Sequence, residues 1–136
     1  RWLHPVGFCA LGNALPNAIG AKMALPTTPV AVLVGDGGFM FSMPELLTAK
    51  EQNLSLPIII WENGGYKQIQ DDMKIMNIDL VGVEGLNPDF VKLAEACHCN
   101  SVYAENEELF VEAFKKALLN NSPTIIVVKE NYGWLD

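Results

Sequence analysis

Two apolar runs that each break off at glycine constrain this chain more than any other feature in it. Residues 30–34, Val-Ala-Val-Leu-Val, lead into Gly35-Asp36-Gly37-Gly38, and residues 57–61, Pro-Ile-Ile-Ile-Trp, lead into Glu62-Asn63-Gly64-Gly65. A short apolar run bounded by turn residues reads as a strand buried on both faces, the kind that parallel sheets contain. Glycine after such a strand lets the backbone turn sharply, approach a ligand and present N–H groups to an anion. Open α/β sheets bind their ligands at the carboxyl ends of parallel strands. Asp36 and Asn63 are therefore expected side by side at one sheet edge. A carboxylate and an amide oxygen are hard donors, suited to a Mg2+ ion that also holds phosphate oxygens.

The rest of the chain alternates in the same way. Small and apolar residues over 13–25 suit a helix packed close on a sheet, with Pro16 in its first turn and Pro26 and Pro29 beyond its end. Ser42-Met43-Pro44-Glu45 has the spacing of a capping box and predicts a helix from there to Gln52. The unit from Val30 to Trp61 is then a right-handed strand–helix–strand crossover. Further helices are expected over 66–73, from Asn87-Pro88-Asp89 onward, and from an Asn106 cap to Leu119. In the last of these, Leu109, Phe110, Ala113, Phe114 and Ala117 repeat at helical spacing and are expected in the core. Residues 2–6 read as a short strand or extended entry, 101–104 and 123–128 as strands, and 74–85 as a partly mobile loop. The expected fold class is α/β, a three-layer α/β/α sandwich around a mostly parallel sheet.

Composition removes several function classes. A chain of 136 residues, half of them hydrophobic, is large enough for a packed core and too apolar for disorder. A net charge of −7 argues against nucleic acid, which requires a basic face. No apolar run spans a bilayer and no signal peptide is visible, so no membrane partner is expected. Cys9, Cys97 and Cys99 are an odd set in an acidic chain, which points to a reducing, cytoplasmic setting. Cys97-His98-Cys99 lacks the second ligand pair of a zinc site and reads instead as a helix end with a buried thiol. His4 reads as structural. Asn53-Leu54-Ser55 and Asn120-Asn121-Ser122 fit the glycosylation pattern by chance. A phosphate loop and a dinucleotide fingerprint both fail, because Asn13 stands where the first needs lysine and Met40 where the second needs its third glycine.

Gly35-Asp36-Gly37, followed by Asn63 at 63 − 36 = 27 positions after the aspartate, resembles the signature of thiamine-diphosphate enzymes. Residues 7–22, Gly-Phe-Cys-Ala-Leu-Gly-Asn-Ala-Leu-Pro-Asn-Ala-Ile-Gly-Ala-Lys, also resemble that family, near its acetolactate synthase and 2-oxo acid decarboxylase branch. The likeness covers nearly the whole chain. It implies the thiamine-diphosphate-binding fold and a Mg2+ ion held by the side chains of Asp36 and Asn63 and the backbone carbonyl of Gly65. It implies that backbone N–H groups near Gly37 and Gly38 contact the diphosphate. It makes Leu11 the bulky residue that wedges under the cofactor and holds it bent, although the residue type alone reads as core. It makes the backbone carbonyl of Cys9 the acceptor for the cofactor's amino group. The implied reaction is decarboxylation of a 2-oxo acid, with ligation of the product to a second carbonyl left open.

One part is missing. In the family a glutamate that protonates the pyrimidine ring comes from a different domain, usually on a neighbouring subunit, and Glu45, Glu51 and Glu62 do not match its motif. Family enzymes are also several times longer. Residues 1–136 are thus expected to be a single diphosphate-binding (PP) domain, excised from a longer enzyme or forming one subunit of a split one, and inactive alone. Its expected partners are the pyrimidine-binding domain and other copies of itself, with Leu11, Phe39, Met40, Tyr66 and the loop 35–41 near the contact. A non-catalytic scaffold that keeps the fold is the competing reading. For the substrate, Ile69 stands where pyruvate-type decarboxylases carry glutamate, and 66–72 lacks the Gly-Met and Trp usual in acetolactate synthases. Glu62 replaces the first Asn of the usual pair. Asp71 and Asp72 read as solvated helix-end charges or, alternatively, as recognition of a cationic, guanidino-type 2-oxo acid.

Overall fold

A computed structural model describes residues 2–4 and 7–135. Among these, strands β1 (Val32–Gly35), β2 (Pro57–Glu62), β3 (Asn100–Tyr103) and β4 (Thr124–Lys129) form one sheet in the order β1-β2-β4-β3. Every neighbouring pair is parallel, with Gly35 level with Trp61 and Glu62 level with Lys129. The carboxyl ends of β1, β2 and β4 therefore lie along one edge. Central β4 shows why its sequence lacks alternation: Ile125, Ile126, Val127 and Val128 are all buried, successive residues facing opposite layers.

The connecting helices are α1 (Ala14–Ala24), α2 (Asp36–Ser42), α3 (Glu45–Glu51), α4 (Lys67–Ile75), α5 (Phe90–Ala96) and α6 (Glu107–Leu119). One core joins Leu15, Phe39, Leu46 and Phe90 to Ile58, Ile60, Ile125 and Val127. On the opposite sheet face Ile126 and Val128 are covered by Phe110, Ala113 and Phe114 of α6 and by Trp134. This is the α/β/α sandwich. The rings of Phe39 and Phe90 meet edge to face at 5.8 Å and both are fully buried, each worth about 1.5–3 kcal/mol in apolar burial. Caps end the helices as their sequences suggest. Asp89 accepts from the Val91 and Lys92 amides at the start of α5, and Asn106 accepts from the Leu109 amide at 2.9 Å at the start of α6.

Several local expectations fail, each for a tertiary reason. The glycine turn after β1 is no loop: Gly35 is extended, and Asp36 opens α2 directly. Gly37 and Gly38 weaken a helix by about 1 kcal/mol each relative to alanine, and burial of Phe39 offsets this. The capping box does not form. Met43 and Pro44 remain in the helical region, so the chain passes almost continuously from α2 to α3 and Ser42 ends buried without a partner. Phe39 lies in the core and not at a surface edge, and Leu109 is 38% exposed because it lies off the covered stripe of α6. Residues 2–4 join no strand, and residues 5 and 6 of the expected entry lie outside the described residues.

Candidate functional site

Asp36 begins α2 at the carboxyl end of β1 and is fully buried. Its Oδ1 accepts one hydrogen bond, from the Gly37 amide at 2.7 Å. Its Oδ2 accepts the backbone amides of Asn63, Gly64 and Gly65 at 3.0, 2.7 and 3.2 Å, and the side-chain amide of Asn87 at 2.7 Å. The carboxylate thus fastens the turn after β2 to the end of β1. Gly64 and Gly65 have φ of +83° and +133°, and the turn points three successive amides at one oxygen only because glycine tolerates that backbone.

The side-chain Oδ1 of Asn63, on the residue whose backbone amide reaches Asp36, is buried and is not matched by any donor. The carbonyl of Gly65 lies 3.4 Å from the position that a Cβ on Gly37 would take. The same Cβ would sit 2.8 Å from Cε1 of Tyr66, so the ring of Tyr66 closes directly over Gly37. Asp36, Gly37, Asn63 and Gly65 are therefore brought together. One lone pair on Asp36 Oδ1, the orphaned amide oxygen of Asn63 and the Gly65 carbonyl are the hard oxygen donors that a Mg2+ ion takes. Among the described residues no cluster of three or more His, Cys, Asp or Glu side chains could hold a metal.

The loop 7–12 borders the same edge. Gly12 has φ +85°, and a Cβ there would stand 2.6 Å from Cβ of Phe41, at the end of α2. Phe41 in turn meets Tyr66 edge to face at 6.4 Å. Leu11 is 51% exposed and so is not core, and Cys9 is exposed with φ +45°. Beyond Asn63, between the ends of β2 and β4, a cavity of about 480 Å3 is lined by Glu62, Asn63, Lys129, Glu130 and Asn131. Glu62 faces Lys129 at 3.9 Å. Asp71 lies 3.3 Å from Lys67 and 3.7 Å from Lys74, and Asp72 accepts from Gln68. Those two acids are the solvated helix charges of α4. Cys97 caps the end of α5, and Cys99 is buried with its thiol donating to the Cys97 carbonyl at 3.3 Å. His4 is exposed. Sequence reasoning missed Asn87 as a member of the site, and placed Tyr66 at this edge only as part of an apolar contact surface. Asn87 read only as a helix start, and no local signal brings residue 87 to residue 36.

Residues 1–128 match the family described as thiamine pyrophosphate enzyme, C-terminal TPP binding domain. A probable 2-ketoarginine decarboxylase of Pseudomonas aeruginosa is 48% identical over 99 residues, which are 72% of this chain and 18% of that protein. The acetolactate synthase large subunit of Mycobacterium tuberculosis is 33% identical over 132 residues, 92% of this chain and 21% of that protein. The chain spans about a fifth of the length of these curated relatives. Among solved structures, a thiamine diphosphate-dependent 4-hydroxybenzoylformate decarboxylase from Rhodococcus jostii superposes with a TM-score of 0.83 at 36% identity, over 90% of this chain and 23% of that one. A benzoylformate decarboxylase from Polynucleobacter necessarius, at 24% identity and a TM-score of 0.81 over 90% of this chain and 24% of that one, shares the fold.

Proposed function

The chain belongs to the thiamine pyrophosphate enzymes, as their C-terminal cofactor-binding domain, and on that premise we propose that the ends of β1 and β2 hold Mg2+ and the cofactor's diphosphate. The observation that carries this is the buried, unpartnered Oδ1 of Asn63, a residue whose backbone amide donates to Asp36. An unsatisfied buried acceptor is costly, and a cation bound by it would remove that cost. The ligands in this reading are Asp36 and Asn63 by side chain and Gly65 by backbone carbonyl. Asp36 Oδ2, taken up by the amides of 63–65, keeps the turn in place while Oδ1 stays available. Gly37 leaves room beneath Tyr66, and backbone amides near Gly37 and Gly38 serve the diphosphate. Leu11, exposed on the loop 7–12, would support the cofactor, and the Cys9 carbonyl would accept from its amino group. When bound, thiamine diphosphate supplies a carbon nucleophile and an electron sink for the decarboxylation of a 2-oxo acid. The chain contributes binding and orientation. The glutamate that activates the pyrimidine is assigned to another domain or subunit, and residues 1–136 act as a single PP domain of that larger enzyme, in the cytoplasm. No helix among the described residues is long and apolar enough to cross a membrane.

The substrate class is a 2-oxo acid. The 48% identity to a probable 2-ketoarginine decarboxylase supports one with a guanidino side chain. Asp71 and Asp72 pair with Lys67, Lys74 and Gln68 of the same helix, exposed contacts that a cationic substrate would have to displace if these acids recognise it. The 33% identity to acetolactate synthase over nearly the whole chain supports a second reading, carboligation of a pyruvate-derived unit. Carbon dioxide release from 2-ketoarginine and from pyruvate, measured side by side on the complete enzyme, separates them. Release from neither would favour the scaffold reading. For the site itself, Asp36→Ala is expected to abolish Mg2+-dependent cofactor binding in calorimetry on the full assembly, and unchanged binding in that variant would sink the assignment.

A further inference from the structure

We propose that Asn87 is a positioning residue for the metal site: its side-chain amide holds Oδ2 of Asp36 and so presents Oδ1 of the same carboxylate to the metal. The inference rests on the metal reading above. Asn87 lies 51 positions beyond Asp36, between the loop that follows α4 and the cap of α5, and its Nδ2 reaches Oδ2 at 2.7 Å. Three of the four donors on that oxygen are backbone amides of 63–65. The bond from Asn87 is the one made by a side chain, and therefore the one that a single substitution can remove.

The segment carrying Asn87 is built to reach this oxygen. The Tyr66 amide donates to the Val83 carbonyl at 3.0 Å, the Gly85 amide to the Gly64 carbonyl at 3.3 Å, and Nε2 of Gln70 to the Val83 carbonyl at 2.9 Å. Gly65 and Glu84 form an antiparallel bridge. Residues 83–87 thus run backbone to backbone along the metal-binding turn and end with Asn87 on Asp36. The residue type suits the task. Asparagine supplies an N–H donor without charge, whereas aspartate would set a second carboxylate against the first and serine is too short to reach.

Partners of this kind, hydrogen-bonded to a metal ligand, typically change metal affinity by about 10- to 100-fold when removed. The test is titration of Mn2+ into the intact enzyme with saturating thiamine diphosphate, with free Mn2+ followed by electron paramagnetic resonance. Asn87→Ala is expected to weaken Mn2+ by that factor. Asn87→Gln, which keeps the amide donor on a longer stem, is expected to recover most of the loss. Far-UV circular dichroism and thermal melting establish that each variant is folded. Should Asn87→Ala not fold, Asn87→Ser takes its place under the same criteria. Wild-type Mn2+ affinity in the folded Ala or Ser variant overturns the proposal, as does a folded Gln variant no better than Ala. Asp36→Ala in the same titration separates the two ideas. If it loses Mn2+ while Asn87→Ala keeps it, the role of Asn87 fails and the metal site stands. If Asp36→Ala binds Mn2+ as the wild type does, both fail.

Discussion

Asp36 carries five hydrogen bonds on two oxygens while fully buried. A buried charge is tolerated when donors surround it, and here the donors come from a turn whose shape depends on glycine. The two glycines of that turn differ in a way that permits a test. A Cβ on Gly65 would stand 2.6 Å from the Val83 carbonyl oxygen and 3.0 Å from the Gly85 amide nitrogen, both backbone atoms that cannot swing aside. A Cβ on Gly64 would meet nothing within 4 Å, so only its φ of +83° opposes substitution. Gly65→Ala is therefore expected to destabilise by about 3 kcal/mol, and Gly64→Ala by about 1–2 kcal/mol. Urea unfolding of the two variants gives the comparison. Equal losses would mean that the contact between 65 and 83–85 contributes nothing.

At the level of elements, α5 and β3 meet around two groups whose protonation is tied to folding. Burial pushes the Cys99 thiol up from 9.0 to about 11, with the nearby Cys97 adding to the effect. Burial, and then the hydrogen bond to Asp89, pushes the Tyr103 hydroxyl up from 10.0 to about 12. In both cases the folded chain binds the proton more tightly than the unfolded chain. The stability they contribute is complete below the ordinary values, 9.0 for the thiol and 10.0 for the phenol, and drains away as pH rises toward about 11 and about 12. The melting temperature is accordingly expected to hold up to pH 9.0 and fall above it, and Cys99→Ala should remove the fall between 9.0 and 10.0 and lessen it from there to about 11. A melting temperature that stays level through pH 11, or one that falls identically in Cys99→Ala, would contradict this. The same junction accounts for the Cys97-His98-Cys99 motif. His98 takes a left-handed backbone, φ +58°, to end α5, and the two cysteines fall on either side of that reversal.

At the scale of the whole molecule, the cofactor edge is apolar as well as polar. Phe41 is 61% exposed and Leu11 and Met40 are also open, and Phe41 links Gly12 of the loop 7–12 to Tyr66. Large exposed apolar groups gathered at one edge mark an interaction surface. The family's cofactor-binding domain occurs in multidomain enzymes, and this chain spans about a fifth of its relatives. Self-association through this edge is the expected outcome, with α2 at the contact in place of the loop read from the sequence. Phe41→Asp puts a charge on the patch without touching Phe39 or the core. Sedimentation equilibrium at micromolar concentration should show an oligomer for the parent chain and a weaker one for the variant. A strictly monomeric parent would refute the expectation.

The sequence by itself determined the sheet and which residues stand at the ends of β1 and β2. Two apolar runs ending in Gly-Asp-Gly and Glu-Asn-Gly are local signals, since strand burial and turn chemistry are set by a few neighbouring residues. From them Asp36, Asn63 and Gly65 could be assigned to one edge before any coordinates. Only the tertiary structure decided that 36–42 is helical, because the gain that offsets two helix-weakening glycines comes from Phe39 against Phe90, 51 residues away in sequence. It alone left Ser42 uncapping, because whether a serine caps depends on the backbone of Met43 and Pro44, which the packing of α2 and α3 holds helical. It alone brought Asn87 to Asp36, because that bond spans the chain through residues 83–85, whose backbone hydrogen bonds carry no signature in side-chain identity.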